Sequence, residues 1–249
     1  NQGEFIMQKK KKNLLFKAIF IVSLLGLSPM LGGIGSGLGI WEPMTGFRMT
    51  RGYMTISSIS GLVALFMIMN YFSKDMARAV KTYLIALLFA GSGYYLGVNQ
   101  EPPDWTGLRG IHDVTTNMNN PPQFIALLDA PGRSNSFDYP AETAQRQQAK
   151  FPWVKPLMSD MSPTDAYARA LSVANELGWD VVGEDAAAGR FEATDYTKWF
   201  NFHDDLVVKI TSSGGGSRID LRSLSRVGGS DHGLGAIRIM KFQRNFAAE

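Results

Sequence analysis

The sequence predicts a chain in two parts: a membrane region of three transmembrane helices, then an α+β periplasmic domain with an antiparallel sheet of about four strands and two flanking helices. Long apolar runs are confined to residues 14–98, whereas residues 99–249 combine charged residues with short helix-like and strand-like patterns. Up to Val98 there are ten Lys/Arg and three acidic residues (+7), and beyond it 15 and 19 (−4). The basic excess lies beside the apolar runs, which argues against a nucleic-acid partner.

The membrane region is predicted over residues 13–98. Residues 1–12 are interpreted as a tag remnant before a start at Met7, followed by a basic cytoplasmic N-terminus. Three apolar runs can each cross a hydrocarbon core of roughly 30 Å: residues 14–40, 53–72 and 82–98. No Ala-x-Ala-like cleavage site follows the first run and two more runs come next, so the first is interpreted as a retained helix rather than a signal peptide.

Basic residues in the short loops predict the orientation of these helices. The N-terminal side and the loop at 73–81 together hold eight Lys/Arg, whereas the loop at 41–52 holds two. Because cytoplasmic loops carry the excess of Lys/Arg, the N-terminus is expected in the cytoplasm. Three crossings then place the C-terminal domain in the periplasm of a bacterium, anchored in the inner membrane.

Small residues four positions apart recur in the apolar runs, and this spacing lets another helix approach closely. These pairs either pack the three helices on one another or dock onto another polypeptide. Gly33 and Gly37 are the first choice for docking. The expected partners are therefore membrane lipids and another integral membrane protein or complex. The glycine-rich stretch at 33–39 follows an apolar run rather than a strand, so it is not interpreted as a nucleotide-binding loop.

The C-terminal part is predicted as an irregular extended arm over residues 99–150 and a compact domain over residues 151–249. The arm is rich in Pro and Gly and shows few periodic runs. Ser162-Pro163 predicts a helix start, an apolar stripe continues to Leu177, and Gly178 ends it. Strand-like runs follow at 179–183, 190–196, 206–210 and 218–225, and a last helix is predicted at 233–246.

Several segments of this half resemble a bacterial family catalogued as domain of unknown function 1499. The residues that carry the resemblance are at 121–124, 192–194, 199–208, 220–228 and 230–233. The similarity extends from about Gly110 to the C-terminus. It implies a shared fold and an exported or membrane-anchored setting, and it implies no reaction.

Alternation along the strands predicts a polar sheet face with Glu192, Asp205, Lys209, Asp220 and Arg222. Two interpretations are open. One is a binding site for an anion, and the other is a ladder of cross-strand ion pairs on a covered face. The candidate ligand- or anion-binding residues are Arg222, Arg226, Asp220, Ser230 and Asp231.

No catalytic residue, metal site or cofactor is predicted. The chain has no cysteine, and adjacent Asp204 and Asp205 point to opposite faces of a strand, which argues against one ion between them. Ser230-Asp231-His232 has the residue types of a hydrolase triad but is better interpreted as a turn that caps a helix.

Three aromatic residues, Trp199, Phe200 and Phe202, crowd one strand connection. They either pack in the core or form a patch that docks onto the bilayer or a partner. The leading functional hypothesis is a non-enzymatic, membrane-anchored accessory or assembly protein of a larger inner-membrane complex. The alternative is a lipid- or small-ligand-binding module, and a hydrolase comes third.

Overall fold

The computed structural model describes residues 28–71 and 110–248, with a few isolated residues among the first 25. The chain divides into two compact units. The first is Asn1–Glu101 with Lys198–Phe200, and the second is Pro102–Thr197 with Asn201–Glu249. The predicted third apolar helix, at 82–98, lies outside the described residues.

None of the helices in the described part of the chain is both long enough and apolar enough to cross a membrane. The prediction of three transmembrane helices therefore has no support from these helices.

The first unit contains two described helices, α1 (Ser28–Gly37) and α2 (Pro43–Tyr71). They approach so closely that a Cβ atom at Gly32 would lie 2.3 Å from the carbonyl oxygen of Gly46. Trp41 Nε1 donates to the carbonyl of Gly32 at 2.8 Å, and Thr50 Oγ1 donates to the carbonyl of Pro29 at 2.9 Å. The absence of side chains at this contact lets the two helices pack closely, and two side-chain hydrogen bonds stabilise the contact, as in closely packed helix pairs.

Burial in α2 is the inverse of that in a helix from a water-soluble protein. Ser57 and Ser60 are buried at 2% and 4% exposure. Ile59 and Phe66, on other faces, are exposed at 56% and 68%. The small polar residues therefore face the protein and the large apolar ones face outward.

The second unit is built on a six-stranded antiparallel sheet in which β1, β6, β5, β4 and β3 are neighbours in that order and β2 also pairs with β6. The strands are β1 (Asp113–Thr115), β2 (Leu157–Ser159), β3 (Asp180–Asp185), β4 (Arg190–Tyr196), β5 (His203–Ser213) and β6 (Gly216–Ser225). The antiparallel sheet domain with flanking helices is confirmed. The two additional strands, β1 and β2, have three residues each, too short for a visible alternation.

Three described helices belong to this unit: α3 (Ala141–Lys150), α4 (Pro163–Glu176) and α5 (Leu234–Phe246). The predicted start of α4 is confirmed, since Ser162 Oγ accepts from the backbone N–H of Asp165 at 3.2 Å. Two short elements, β1 and α3, lie within the segment 99–150 that was predicted as an irregular arm. α3 is mostly polar, so its sequence lacks the apolar stripe that identifies a helix.

The two faces of the sheet are covered differently. One face packs its apolar residues, among them Leu206, Ile219 and Leu221, against α4 and α5 in the main core. The other face carries charged residues and lies under residues 116–139, which we call the covering segment. The second unit therefore reaches further toward the N-terminus than the compact domain predicted at 151–249.

Candidate functional site

The most deeply buried cation on the covered face is Arg222, whose side chain has no exposed area. Its Nε and Nη2 donate to the two carboxylate oxygens of Asp113 at 3.0 and 2.7 Å. Nη2 also donates to the carbonyl of Phe137 at 2.6 Å, and Nη1 to that of Pro122 at 3.3 Å. The guanidinium lies over the ring of Phe124 at 5.3 Å. Arg222 thus joins β1, β6 and both ends of the covering segment.

A second buried cluster forms around Asp205, which is fully buried. Arg226 donates through Nε to both oxygens of this carboxylate, at 3.1 and 2.9 Å, and Arg133 pairs with the same group. Arg226 Nη1 donates to the carbonyl of Pro131 at 3.2 Å and to Nδ1 of His203 at 3.1 Å. The two arginines hold the middle of the covering segment on the sheet.

The third cluster is centred on Glu192, in β4. Its carboxylate accepts from three successive backbone N–H groups, those of residues 125, 126 and 127, at 2.7, 3.2 and 3.0 Å. Arg190 Nη2 donates to Oε1 of Glu192 at 2.6 Å and to the carbonyl of Gln123 at 2.5 Å. A carboxylate bound by converging N–H groups is a strong anchor, because charge-assisted hydrogen bonds are about twice as strong as neutral ones.

The electrostatics of this face follow from burial. Loss of solvation raises the pKa of Asp113, and the hydrogen bonds and charge of Arg222 act against that rise. Burial also lowers the pKa of Arg133, while Asp205 favours its charged form. The pKa of Tyr139 is raised, first by burial and then by the charge of Asp113. Ions removed from water in this way cost several kcal/mol each unless they are paired, and here each is paired.

The structure does not bring the five predicted anion-binding residues into one site. Arg222 is paired with Asp113 and Arg226 with Asp205. Asp220 accepts from Arg218 Nε and Nη2 at 2.8 and 3.1 Å. The remaining two, Ser230 and Asp231, lie at the beginning of α5.

The Asp231 carboxylate binds the first turn of α5, whose N-cap position is Gly233. The carboxylate accepts from the backbone N–H groups of Gly233 and Gly235, both at 2.8 Å. Ser230 Oγ accepts from the backbone N–H of His232 at 3.2 Å. Burial raises the pKa of Asp231 to about 6, while the two backbone hydrogen bonds act against the rise. These bonds use the Asp231 carboxylate to start a helix, as the turn interpretation of this motif expected.

The adjacent acids of β5 point to opposite faces. Asp204 pairs with Arg238 of α5 at 2.6 Å, whereas Asp205 faces the covering segment. Within the part of the chain that the structure describes, no group of three or more His, Asp or Glu residues is arranged to hold a metal ion.

The docking candidates at Gly33, Gly37, Trp199 and Phe200 all belong to the first unit. A Cβ atom at Gly33 would lie 1.7 Å from Nε1 of Trp199, so the absence of a side chain there makes room for the indole. A Cβ atom at Gly37 would meet its nearest neighbour at an ordinary 3.5 Å.

The two phenylalanines among the docking candidates lie in different units. Phe200 is buried, with its ring edge-on to that of Phe47 at a centroid distance of 5.5 Å. Phe202 is half-buried in the second unit, and its backbone N–H donates to Thr197 Oγ1 at 2.8 Å.

Beyond the ion-pair clusters, the covered face opens into a cleft of about 540 Å³ between the covering segment and β4, β5 and β6. Three cations line it, Arg190, Lys209 and Arg218. The apolar part of its wall includes Pro121, Pro122, Ile125 and Val207. A cavity of this size is in the range of small-molecule sites.

Alternation in the sequence places Lys209 on the polar face, but it does not show that Arg190 and Arg218 lie in the same cleft. The missing information is the strand register. Arg190 is the cross-strand partner of Lys209, and Lys209 is the partner of Asp220, so these three positions form one row across the sheet. Alternation gives the face of each residue, whereas only the pairing of strands shows which residues are neighbours.

The match to a protein family lies in the C-terminal part of the chain. No curated protein matches the sequence. A family model described as a protein of unknown function, DUF1499, matches residues 113–246, which run from β1 to the end of α5 and include the covering segment, all three ion-pair clusters and the cleft. This match covers more than half of the chain and confirms the resemblance seen in the sequence. The chain belongs to the DUF1499 family.

Proposed function

We propose that this protein is a non-enzymatic accessory or assembly protein, anchored in the inner membrane of a bacterium by its first unit, with the sheet domain in the periplasm. Its expected partners are membrane lipids and another integral membrane protein or complex.

The observation that carries this proposal is the inverted burial of α2. Exposed Ile59, Leu62 and Phe66 would be unfavourable in water but are matched by lipid tails, and buried Ser57 and Ser60 are typical of helix contacts in a membrane. The apolar runs at 14–40 and 82–98 support the same setting from sequence. Basic residues at 9–12 and 74–81 support the orientation.

A second observation supports a non-enzymatic role. On the covered face, the buried acids Asp113, Glu192 and Asp205 are each bound by arginines or backbone N–H groups. A general acid or base must be within reach of a substrate proton, and these groups are already occupied within the fold. Their arrangement is that of a scaffold held in one conformation.

Copurification from mild detergent tests the partner. Gly37→Leu adds bulk at a position of α1 with ordinary clearance, so the unit should stay folded while close approach of another helix is blocked. We expect this variant to lose a partner that the wild type retains. Gly52→Leu is the matched control, because a Cβ atom at Gly52 meets nothing within 4 Å. A wild type that runs as a lone monomer, or a Gly37→Leu chain that keeps its partner, contradicts the proposal.

Topology is tested separately with a reporter that is active only in the periplasm. Fused after Glu249 it should be active, and fused near Ala77, outside the described residues, it should be inactive. Activity at Ala77 would contradict the proposed orientation.

A second candidate function is ligand binding, and the cleft on the covered face favours it. The small residues of α4 leave no cavity for a ligand, because Ala166, Ala170 and Ala174 are fully buried in the main core. The cleft lies on the opposite face, where cations and apolar residues share one cavity.

A further inference from the structure

The three cations that line the cleft are not equally neutralised. Arg218 pairs with Asp220, and Arg190 pairs with Glu192, whose carboxylate also binds the covering segment. Lys209 lies between them and forms no ion pair with any described carboxylate. Its Nζ donates to the backbone carbonyl of Ala188 at 3.1 Å. Asp185, the other acid of the rim, accepts from the backbone N–H of Ala188 at 2.9 Å. Lys209 and Asp185 are therefore the two charged groups of the cleft that form no ion pair with a described residue.

Strand register determines which charged residues lie beside Lys209. Arg190 and Lys209 are direct cross-strand partners, and like charges in such positions repel each other. Asp220, the partner of Lys209 on the other side, is already bound by Arg218 and by Thr116 Oγ1 at 3.0 Å. An anion beside Lys209 would give this side chain the ion pair that it lacks among the described residues.

Further donors remain for such an anion. Among the described contacts, Arg190 donates through Nη2, and Arg218 donates through Nε and Nη2. The other guanidinium N–H groups of these two side chains have no described acceptor. They and Lys209 Nζ are charged donors along one cavity, a combination that suits a carboxylate or another singly charged oxyanion.

The opposite wall of the cleft is mixed, since Asn117, Asn120 and Gln123 line it together with apolar residues. The apolar residues of the covering segment in this wall are Pro121, Pro122 and Ile125, and Ile125 is 63% exposed. Apolar residues and charged donors that share one cavity suit a ligand with both an anionic and an apolar part.

We propose that the cleft binds an amphiphilic anion, a free molecule with one negatively charged head group on a short apolar chain. The head group lies at Lys209, between Arg190 and Arg218, and the apolar chain lies against Pro121 and Ile125. This inference rests on the second candidate function, ligand binding, and names the class of ligand.

Binding is measured by a saturation-transfer NMR titration of the full chain in phosphatidylcholine nanodiscs, with empty nanodiscs as the blank. The probe is hexanoate, compared with acetate, which lacks the apolar chain, and hexanamide, which lacks the charge. We expect hexanoate to bind at least about tenfold more tightly than either. Equal affinity for acetate, equal affinity for hexanamide, or no binding of hexanoate overturns the proposal.

Two substitutions locate the site. Lys209→Gln should weaken hexanoate binding at least about tenfold, whereas Lys241→Gln, at an exposed position of α5, should leave it unchanged. Both variants should melt as the wild type does. If Lys209→Gln lowers the melting temperature, Ile125→Ser replaces it as the test. Ile125 is exposed, so this variant should stay folded, and it should weaken hexanoate binding. Unchanged affinity in the folded variants overturns the assignment.

The same titration in nanodiscs that contain phosphatidylglycerol separates a free ligand from a lipid head group. We expect the same hexanoate affinity, and a weaker one would overturn the assignment to a free molecule. Copurification with a partner is unaffected by this result, so failure of the ligand proposal and failure of the accessory-protein proposal can be told apart.

Discussion

Arg222 and Asp113 stand 109 positions apart in the sequence, yet their side chains meet through two parallel hydrogen bonds of 3.0 and 2.7 Å. Neither side chain is more than 3% exposed. The pair fastens β1, the first strand of the domain, to β6, the last one.

Breaking this pair from one side should be costly. Asp113→Ala leaves the Arg222 guanidinium buried without its carboxylate, and we expect a loss of about 3–5 kcal/mol in the free energy of unfolding. Urea denaturation followed by circular dichroism measures it. The control is Glu142→Ala, which removes an exposed ion pair with Arg146 and should cost less than about 1 kcal/mol. Equal losses in the two variants would show that burial of the pair is irrelevant.

Glu192 should govern the order of the covering segment. Glu192→Gln replaces the charged acceptor of three backbone N–H groups, so amide hydrogen exchange at residues 125–127 should accelerate. A loss of roughly 2–3 kcal/mol in local stability corresponds to about a hundredfold faster exchange. Glu184→Gln, which replaces the charged acceptor of the Tyr167 hydroxyl by a neutral one, should leave these amides protected. Unchanged exchange in Glu192→Gln would refute the anchoring role.

The close approach of β3 to the covering segment can be tested by exchanging a glycine and an alanine between the two. A Cβ atom at Gly183 would lie 2.5 Å from the Cβ atom of Ala126. Gly183→Ala should therefore destabilise the domain by about 1–3 kcal/mol through overpacking. Adding Ala126→Gly removes the opposing methyl group and should recover most of the melting temperature. A double variant that is less stable than Gly183→Ala alone would show that the two sites act independently.

Asp231 should make stability depend on pH. Its folded pKa of about 6 is above the ordinary value of 3.8, so the folded chain binds more protons than the unfolded chain between these values. As pH rises from about 4 to about 6, the contribution of Asp231 to the free energy of unfolding therefore falls by at most about 3 kcal/mol. Above about pH 6 it stays constant. The free energy of unfolding of wild type and Asp231→Asn is measured from pH 4 to 7. The stability of the variant relative to wild type should increase up to about pH 6. A constant difference would contradict the raised pKa.

Local patterns were sufficient for much of the second unit. Alternation in β6 correctly placed Asp220 and Arg222 on one polar face, which is opposite the main core. The start of α4 followed from Ser162-Pro163 alone, because a cap is a contact over three residues.

The candidate site was harder to predict, since its contacts are long-range. The carboxylate of Glu192 binds backbone N–H groups, which every residue but proline carries and which leave no trace in the sequence. Likewise, no pattern indicated that residues 116–139 would cover charged side chains, because their hydrogen bonds to Arg222 and Arg226 use backbone carbonyls. The cleft at Lys209 depends on strand register as well.

The fastening of β1 to β6 has a consequence for the order in which the domain forms. β1 and the covering segment leave the ribosome before β4, β5 and β6, yet their partners lie on those strands. Closing a loop of about a hundred residues costs several kcal/mol of chain entropy before any contact compensates for it. Folding of this domain should therefore be slow for its size and begin in the hairpins β4–β5 and β5–β6, with the N-terminal segment docking last. Until then Asp205, Glu192 and Arg222 remain hydrated, and docking of the N-terminal segment is the step that removes these charged side chains from water.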